Sequence, residues 1–149
     1  MPNIKCLADR LKEVDAAVGA AKSKKAKIEA LKNHSHPDFK DVFGLAFNPA
    51  IKFALPEGAP PFKTTANGID SENILNSVIK RKKLAIYMRG QGYDNMAAIQ
   101  RESKFMNLLS ELHPEDAVLL CHIKDKKLPY PNITIELVKE AFPILTKDW

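Results

Sequence analysis

The stretch "IKCLADRLKEVDAAVG", residues 4–19, decides the fold class because its apolar side chains recur at steps of three and four residues. An α-helix has about 3.6 residues per turn, so this spacing places those side chains on one face. Gly19 then favours an end to the helix, since glycine often follows the last helical turn. The stretch therefore predicts an amphipathic helix with one buried face, formed by Ile4, Leu7, Leu11, Val14 and Val18.

The same period continues along most of the chain and predicts an all-α fold of about seven or eight helices. We expect a single compact domain over residues 1–149, since this length fits one domain with its own core. One predicted helix runs from the 70–71 region through Ile86 without a break. The predicted helix starts and caps are Lys22–Ser23, Ser35 with Pro37 as first helical residue, Asp70 or Ser71, Asp94 or Asn95, Pro114, and Thr134.

A proline-rich segment, "NPAIKFALPEGAPPFKTTANG" at residues 48–68, interrupts this pattern. Prolines and glycines at this density predict an irregular connection. The segment nevertheless keeps the large apolar residues Ile51, Phe53, Leu55 and Phe62. Because flexible linkers are poor in such residues, we expect it to pack on the core rather than to separate two domains.

Composition is that of an ordinary globular protein, with 45% hydrophobic and 28% charged residues. No apolar run reaches the roughly 18 residues that span a bilayer, and no signal-peptide pattern opens the chain. Cys6 and Cys121 are far apart, and each lies in an apolar helical pattern. They are typical of reduced core thiols in a cytoplasmic protein rather than of a disulfide framework.

Motifs for catalysis are absent from the sequence. There is no Walker A loop, dinucleotide fingerprint, nucleophile elbow or pair of carboxylates spaced for acid–base work. His34 and His36 are two residues apart, a spacing that does not suit a helical metal pair, and no Cys or carboxylate cluster accompanies them. The sequence predicts a protein that is not an enzyme and has no cofactor and no metal ligands.

Positive charge is concentrated in three stretches. Residues 20–33, 80–89 and 124–127 carry local charges of +4, +5 and +2, so +11 falls within them and −6 on the rest of a chain whose net charge is +5. Such concentration is expected of a surface that binds a polyanion. The alternative is three solvated faces that never meet.

Three of the predicted helix starts lie beside these basic residues: "GAAKSKKAK", "RGQGYDNMAA" and "KKLPYPNITIE". Free backbone N–H groups at a helix start, with lysines nearby, form a suitable phosphate site. Proteins that contact the DNA backbone use this arrangement repeatedly. Capped helix starts are also common in helical proteins that bind nothing, so the pattern leaves a purely structural role open.

With these junctions in place, the chain resembles the N-terminal DNA-binding domain of ATP-dependent DNA ligases, especially the phage type. The similarity follows the order "AAVGAAKSKKAKIEAL", "FKDVFGLAFNPAIKF", "MRGQGYDNMAAIQ" and "PEDAVLLCHIKDKKLPYPNITIELVKEAFPIL". The last of these is the most specific, with an acidic helix start, a basic helix end, a loop and a capped helix that closes in aromatic-Pro-x-Leu. It departs from the family where Lys124 replaces an arginine and Asn132 a glycine.

The resemblance implies a protein that binds double-stranded DNA, intact or nicked, through the sugar-phosphate backbone and without sequence specificity. The lysines of residues 124–127 would then contribute to DNA affinity and not to folding. The implied contacts are Lys22, Ser23, Lys24 and Lys25 at the first junction, Arg89, Gly90, Gln91 and Asn95 at the second, and Lys124, Lys126, Lys127, Asn132 and Thr134 at the third.

The ligase motif Lys-x-Asp-Gly, whose lysine receives the adenylate, does not occur in this sequence. The resemblance therefore implies a free-standing phage protein that acts in the cytoplasm of a bacterial host. Two alternatives stay open. One is a protein-interaction module, an adaptor or an inhibitor of a host factor, built on the same helical fold. The other is half of a split ligase whose catalytic part is a separate chain.

Overall fold

The computed structural model describes residues 6–34, 36–58, 60 and 74–149, and in these ranges every regular element is helical. The predicted all-α class is confirmed. Within the described ranges the only β pairing is an isolated antiparallel bridge between Phe53 and Met88, and no helix has the length and apolarity to cross a membrane. The elements are α1 (Leu7–Ala20), α2 (Lys24–Asn33), α3 (Pro37–Phe47), α4 (Ile74–Lys80), a 3-10 helix (Lys83–Tyr87), α5 (Ala98–Glu111), α6 (Pro114–Lys124) and α7 (Ile135–Ala141).

The core is built around α1, whose apolar face packs against α2 and α6. Helix α2 also packs on α7, and α3 packs on α4 and α6. Cys6 and Cys121 are free and buried in this core, as their apolar surroundings in the sequence predict. The predicted face of α1 is confirmed for Leu7, Leu11, Val14 and Val18, and Ile4 lies outside the described residues.

Several helix starts follow the predicted capping chemistry. The hydroxyls of Ser23 and Thr134 accept hydrogen bonds from the backbone N–H groups three residues later, and Pro37 is the first residue of α3. The predicted cap of α3 is corrected, because His36 occupies this position and its Nδ1 accepts from Asp38 N at 3.2 Å. Ser35, Asp70 and Ser71 lie outside the described residues.

The helix predicted to run through Ile86 is interrupted. Helix α4 ends at Lys80, and Lys82 adopts a left-handed conformation with φ 57° before the short 3-10 helix begins. Leu84 and Tyr87 of this 3-10 helix are both buried. The break lets the chain turn without losing apolar contact with the core, at a position where no glycine or proline indicates a turn.

The described part of the proline-rich segment packs on the core, as predicted. Phe53 and Leu55 are partly buried against it. Two backbone hydrogen bonds join this segment to the end of the 3-10 helix and the residues that follow it, from Ala54 N to Tyr87 O at 2.7 Å and from Arg89 N to Lys52 O at 2.8 Å. Residues 59 and 61–68 of the predicted segment lie outside the described ranges.

Arg101 of α5 holds the loop that leads into its own helix. The side chain is 6% exposed, and Nη2 donates to the carbonyls of Tyr93 (2.8 Å) and Met96 (3.3 Å). Nε donates to Ile86 O at 3.3 Å and Nη1 to Ala54 O at 3.5 Å. No carboxylate pairs with this guanidinium in the described part of the chain. One side chain thus fixes residues 86–96 against both α5 and the proline-rich segment.

Candidate nucleic-acid interface

The first basic stretch surrounds the start of α2. Lys22, Ser23, Lys24 and Lys25 are all exposed, and Ser23 Oγ accepts from Ala26 N at 3.1 Å. Lys24 Nζ forms an ion pair with Glu140 Oε1 of α7 at 2.7 Å. Lys22, Lys25 and Lys32 are exposed and have no ion pair among the described residues, so they are the cations of this stretch that are available to a ligand.

The second basic stretch, residues 80–89, runs from the end of α4 to just beyond the 3-10 helix. The turn at its start, residues 80–83, is called the basic turn. Lys80, Arg81, Lys82, Lys83 and Arg89 are all exposed to solvent. Only Lys80 has a carboxylate partner among the described residues, with its Nζ 3.1 Å from Asp38 Oδ1. Four cations with no ion pair among the described residues therefore lie within ten residues of the sequence.

Asp38 explains why Lys80 differs from its neighbours. This carboxylate is 4% exposed and contacts Arg10 Nη1 at 3.7 Å and Lys80 Nζ at 3.1 Å. Burial raises the pKa of Asp38, but the Lys80 hydrogen bond and the nearby positive charges outweigh burial and hold it below its ordinary value. Asp38 therefore stays ionised and joins α1, α3 and α4.

The resemblance to DNA-ligase domains implies that the loop after the 3-10 helix offers a free backbone N–H to a phosphate, and the structure differs at this point. Gly90 has φ 78°, a conformation that favours glycine, but its N–H donates to both carboxylate oxygens of Asp94 at 3.1 Å. The predicted phosphate donor is already paired. Asp94 and Asn95 do not cap α5, because that helix begins at Ala98 after Ala97, which makes no side-chain cap. Arg89, Gln91 and Asn95 remain exposed.

Lys124 is the clearest correction to the predicted site. Its side chain is 1% exposed, and Nζ donates to Pro56 O and Gly58 O, each at 2.6 Å, and to Asp125 Oδ1 at 2.7 Å. Asp125 in turn accepts from Gly58 N at 3.1 Å. The ammonium therefore anchors the proline-rich segment to the end of α6 and cannot reach a DNA backbone.

Lys126 also turns inward, which corrects the prediction that it acts on DNA and not on folding. Its backbone is left-handed, with φ 63°, and Nζ donates to Leu45 O at 2.5 Å and Asn48 O at 2.9 Å. These carbonyls lie at the C-terminal end of α3, where a cation is favoured. Burial lowers the pKa of Lys126 to about 8. Only Lys127 of this stretch is exposed, with Glu57 Oε1 at 4.0 Å.

Asn132 and Thr134 stabilise the loop before α7. Asn132 N donates to Asp15 Oδ1 at 2.8 Å, and its Nδ2 donates to Asp15 O at 3.3 Å. Asn132 also packs closely on Gly19 near the end of α1, since a Cβ added at Gly19 would lie 2.6 Å from that Nδ2. The loop before α7 therefore contacts the chain just before the first basic junction. Thr134 Oγ1 accepts from Leu137 N at 3.2 Å, the predicted cap. The side chains of Asn132 and Thr134 thus both form hydrogen bonds within the protein.

A groove of about 530 Å³ lies beside the second basic stretch, between α3 and the turn after α4. Its polar lining includes three lysines but a single acid, and Trp149 contributes an indole ring to the wall. Gln91 is the one uncharged polar residue of this lining that the sequence predicted as a contact. Lys40 and Trp149 were not predicted, because no local pattern connects them to residues 80–91. The polar side chains that line it are Lys40, Asp41, Asn48, Lys80, Lys82 and Gln91.

Thr134 offers a test of the cap that is independent of ligand binding. Thr134→Ala removes the acceptor of the Leu137 N–H, and loss of an N-cap typically costs about 1 kcal/mol. We therefore expect urea denaturation to give a free energy of unfolding about 1 kcal/mol lower. Thr134→Ser, which keeps the hydroxyl, should retain most of that stability. Equal losses in both variants would contradict the capping role.

The fold and the basic turn together define a small all-α protein with a cationic surface. The chain belongs to the DUF6433 family, described as a family of unknown function, whose model matches residues 14–130. The match covers the helices from within α1 to the loop after α6, including the second basic stretch. No curated protein and no solved structure matches the chain.

Proposed function

We propose that this protein binds duplex DNA through the sugar-phosphate backbone, without sequence specificity and without catalysing a reaction. The observation that carries the proposal is the second basic stretch, where Arg81, Lys82, Lys83 and Arg89 are exposed and have no carboxylate partner among the described residues. A concentration of unpaired exposed cations creates a local positive potential, which attracts a polyanion such as DNA.

The proposed contact surface differs from the one that the family resemblance implies. Lys124, Lys126 and Gly90 are excluded because the protein itself uses their polar groups. The first junction contributes Lys22 and Lys25 in place of the ion-paired Lys24. The cations of the proposed surface are Lys22, Lys25, Arg81, Lys82, Lys83 and Arg89.

The test is a matched pair of double charge reversals. Lys82→Glu with Lys83→Glu reverses two exposed cations of the basic turn, whereas Lys104→Glu with Lys139→Glu makes the same change at exposed lysines outside the basic stretches. In mobility-shift titrations on duplex DNA we expect the first variant to bind at least about tenfold more weakly, because each lost phosphate contact also loses its counterion release. The control should lose much less.

Salt dependence gives a second measure of the same contact. With about five or six phosphates neutralised, the slope of log affinity against log salt should be near −5. Intact and nicked duplexes should bind more tightly than single strands, and changing the sequence should have little effect. Identical binding by the two charge-reversed variants, or an affinity independent of salt, would overturn the proposal.

A protein-interaction module is the second candidate, and exposed apolar side chains favour it. Ile99 is 78% and Ile144 is 87% exposed, and Leu145 beside Ile144 lines the groove. Isolated exposed apolar residues are common, so this observation is weaker than the charge density of the basic turn. A folded protein that binds no DNA at low salt would leave the adaptor or inhibitor role as the better explanation.

A further inference from the structure

Gly44 lies within α3 and lines the groove beside the basic turn. Its φ is not positive, so the backbone conformation does not require a glycine. A Cβ added at Gly44 would meet no atom within 4 Å beyond the neighbouring backbone of α3. Glycine within a helix is less stable than alanine, because it loses more backbone freedom on folding. The described fold therefore gives no reason for this glycine, whereas a flat ligand seated on the helix backbone would.

The rest of the groove wall suits a nucleobase. Trp149 is partly buried and contributes an aromatic face, and aromatic side chains stack on bases of every kind. Leu84, Ala85 and Met88 add apolar surface. The volume of about 530 Å³ lies within the range of pockets that hold small ligands, roughly 300 to 1,000 Å³. The groove therefore has both the room and the surfaces for one flat aromatic ring.

The charge of the groove suits a phosphate. Lys40 and Lys82 line it, are exposed, and have no ion pair among the described residues. Asp41 is the one acid of the lining, and Lys80 pairs with Asp38. Because the two unpaired cations outweigh one carboxylate, the groove keeps a positive potential that favours an anionic ligand.

We propose that the groove accepts one unpaired nucleotide of a DNA strand, with its base against Gly44 and Trp149 and its phosphate near Lys82. Lys80 and Lys82 belong to both the groove and the basic turn, so a strand bound at the turn lies beside the groove. This site depends on the proposed function, since the duplex on the basic turn brings the strand to the groove. A base inside a duplex cannot enter without leaving its stack. The preferred DNA is then a duplex with a short single-stranded overhang.

Matched duplexes test this site through Trp149, the only tryptophan in the sequence. One duplex is blunt, and a second carries short single-stranded overhangs of both polarities. A third carries the same overhangs built from abasic residues, which keep the phosphates and lack the bases. We expect the second to bind at least about fivefold more tightly than the third, because stacking of a single base supplies that much. Only the second should quench the fluorescence of Trp149.

Gly44→Ala is the most discriminating variant, because its methyl group would occupy the space of the base. Alanine is the better helix former, so thermal unfolding followed by circular dichroism should show a fold at least as stable as the wild type. We expect Gly44→Ala to remove the preference for overhangs with bases and to leave the affinity for the blunt duplex unchanged. Trp149→Ala should also remove the preference, whereas Trp149→Phe, which keeps an aromatic ring, should retain part of it.

A variant outside the groove provides the control. Lys83 belongs to the basic turn but does not line the groove. Lys83→Glu should therefore weaken the binding of all three duplexes alike, through loss of phosphate contact and counterion release.

The outcomes separate this site from the proposed function. Equal affinity of the wild type for overhangs with and without bases, while the blunt duplex still binds, would overturn the site alone. So would a Gly44→Ala variant that keeps the wild-type preference. A free nucleoside monophosphate that quenches Trp149 at the same concentration as the overhang duplex would overturn DNA as the source of the nucleotide. Failure to bind any of the three duplexes would overturn the proposed function as well.

Discussion

Arg101→Ala is expected to lower the free energy of unfolding by about 3 kcal/mol. The change removes hydrogen bonds to the carbonyls of Ile86, Ala54, Tyr93 and Met96. Hydrogen bonds from a charged donor are each worth more than neutral ones, and truncation also leaves a cavity beside α5. Chemical denaturation followed by circular dichroism measures the loss.

Arg101→Lys is the informative companion. Lysine keeps the positive charge but lacks the planar fork that lets one side chain reach several carbonyls. We expect it to restore less than half of the lost stability. Arg81→Ala, at an exposed arginine, should change stability by no more than about 0.5 kcal/mol. A loss below about 1 kcal/mol in Arg101→Ala would contradict the structural role assigned to the guanidinium.

Lys124→Met is expected to cost about 3 kcal/mol of unfolding free energy while leaving DNA affinity unchanged in the folded fraction. Methionine keeps the length of the apolar stem but removes the ammonium. Asp125, whose side chain is only 16% exposed, then loses its counter-charge, and the carbonyls of Pro56 and Gly58 lose their donor. Removing one member of a buried ion pair is strongly destabilising because the other remains buried.

Lys127→Met provides the matched control at an exposed position three residues further along the chain. Its stability should stay within about 0.5 kcal/mol of the wild type. The pair thus separates a lysine that serves the fold from one that faces solvent. A stable Lys124→Met variant with weakened DNA binding would support the DNA contact that the resemblance to DNA-ligase domains implies for Lys124. It would contradict the role of Lys124 in holding the proline-rich segment to α6.

Most helices of this fold were predictable because their signals are local. The period of α1 appears in consecutive residues, and the caps Ser23 and Thr134 lie three residues before their donors. The turn at Lys82 was not predictable from such signals, since the apolar pattern continues through Leu84 and Ile86 and no glycine is present. The late start of α5 was missed because Asp94 bonds to Gly90 N rather than to the helix.

The candidate site was harder to predict because a lysine's direction depends on distant contacts. Lys124 meets carbonyls 66 and 68 residues earlier in the chain, and Lys126 meets carbonyls 78 and 81 residues earlier. A count of basic residues cannot distinguish these two inward-facing lysines from Lys82 and Lys83, which are exposed at the surface. Charge density in the sequence therefore located a candidate surface at the second stretch but failed at the third.

The carbonyl partners of Arg101 have a consequence for how the molecule responds to acid. Carbonyls do not titrate, so acidification leaves that cross-link between α5 and residues 86–96 unchanged. The interactions of the Asp38 carboxylate with Arg10 and Lys80 behave differently, because the pKa of Asp38 in the folded protein is below its ordinary value. Its stabilising contribution is complete above the ordinary carboxyl pKa of about 3.9 and is lost as pH falls through the lower folded value. Acid should therefore loosen the corner where α1, α3 and α4 meet before it loosens the loop that Arg101 holds.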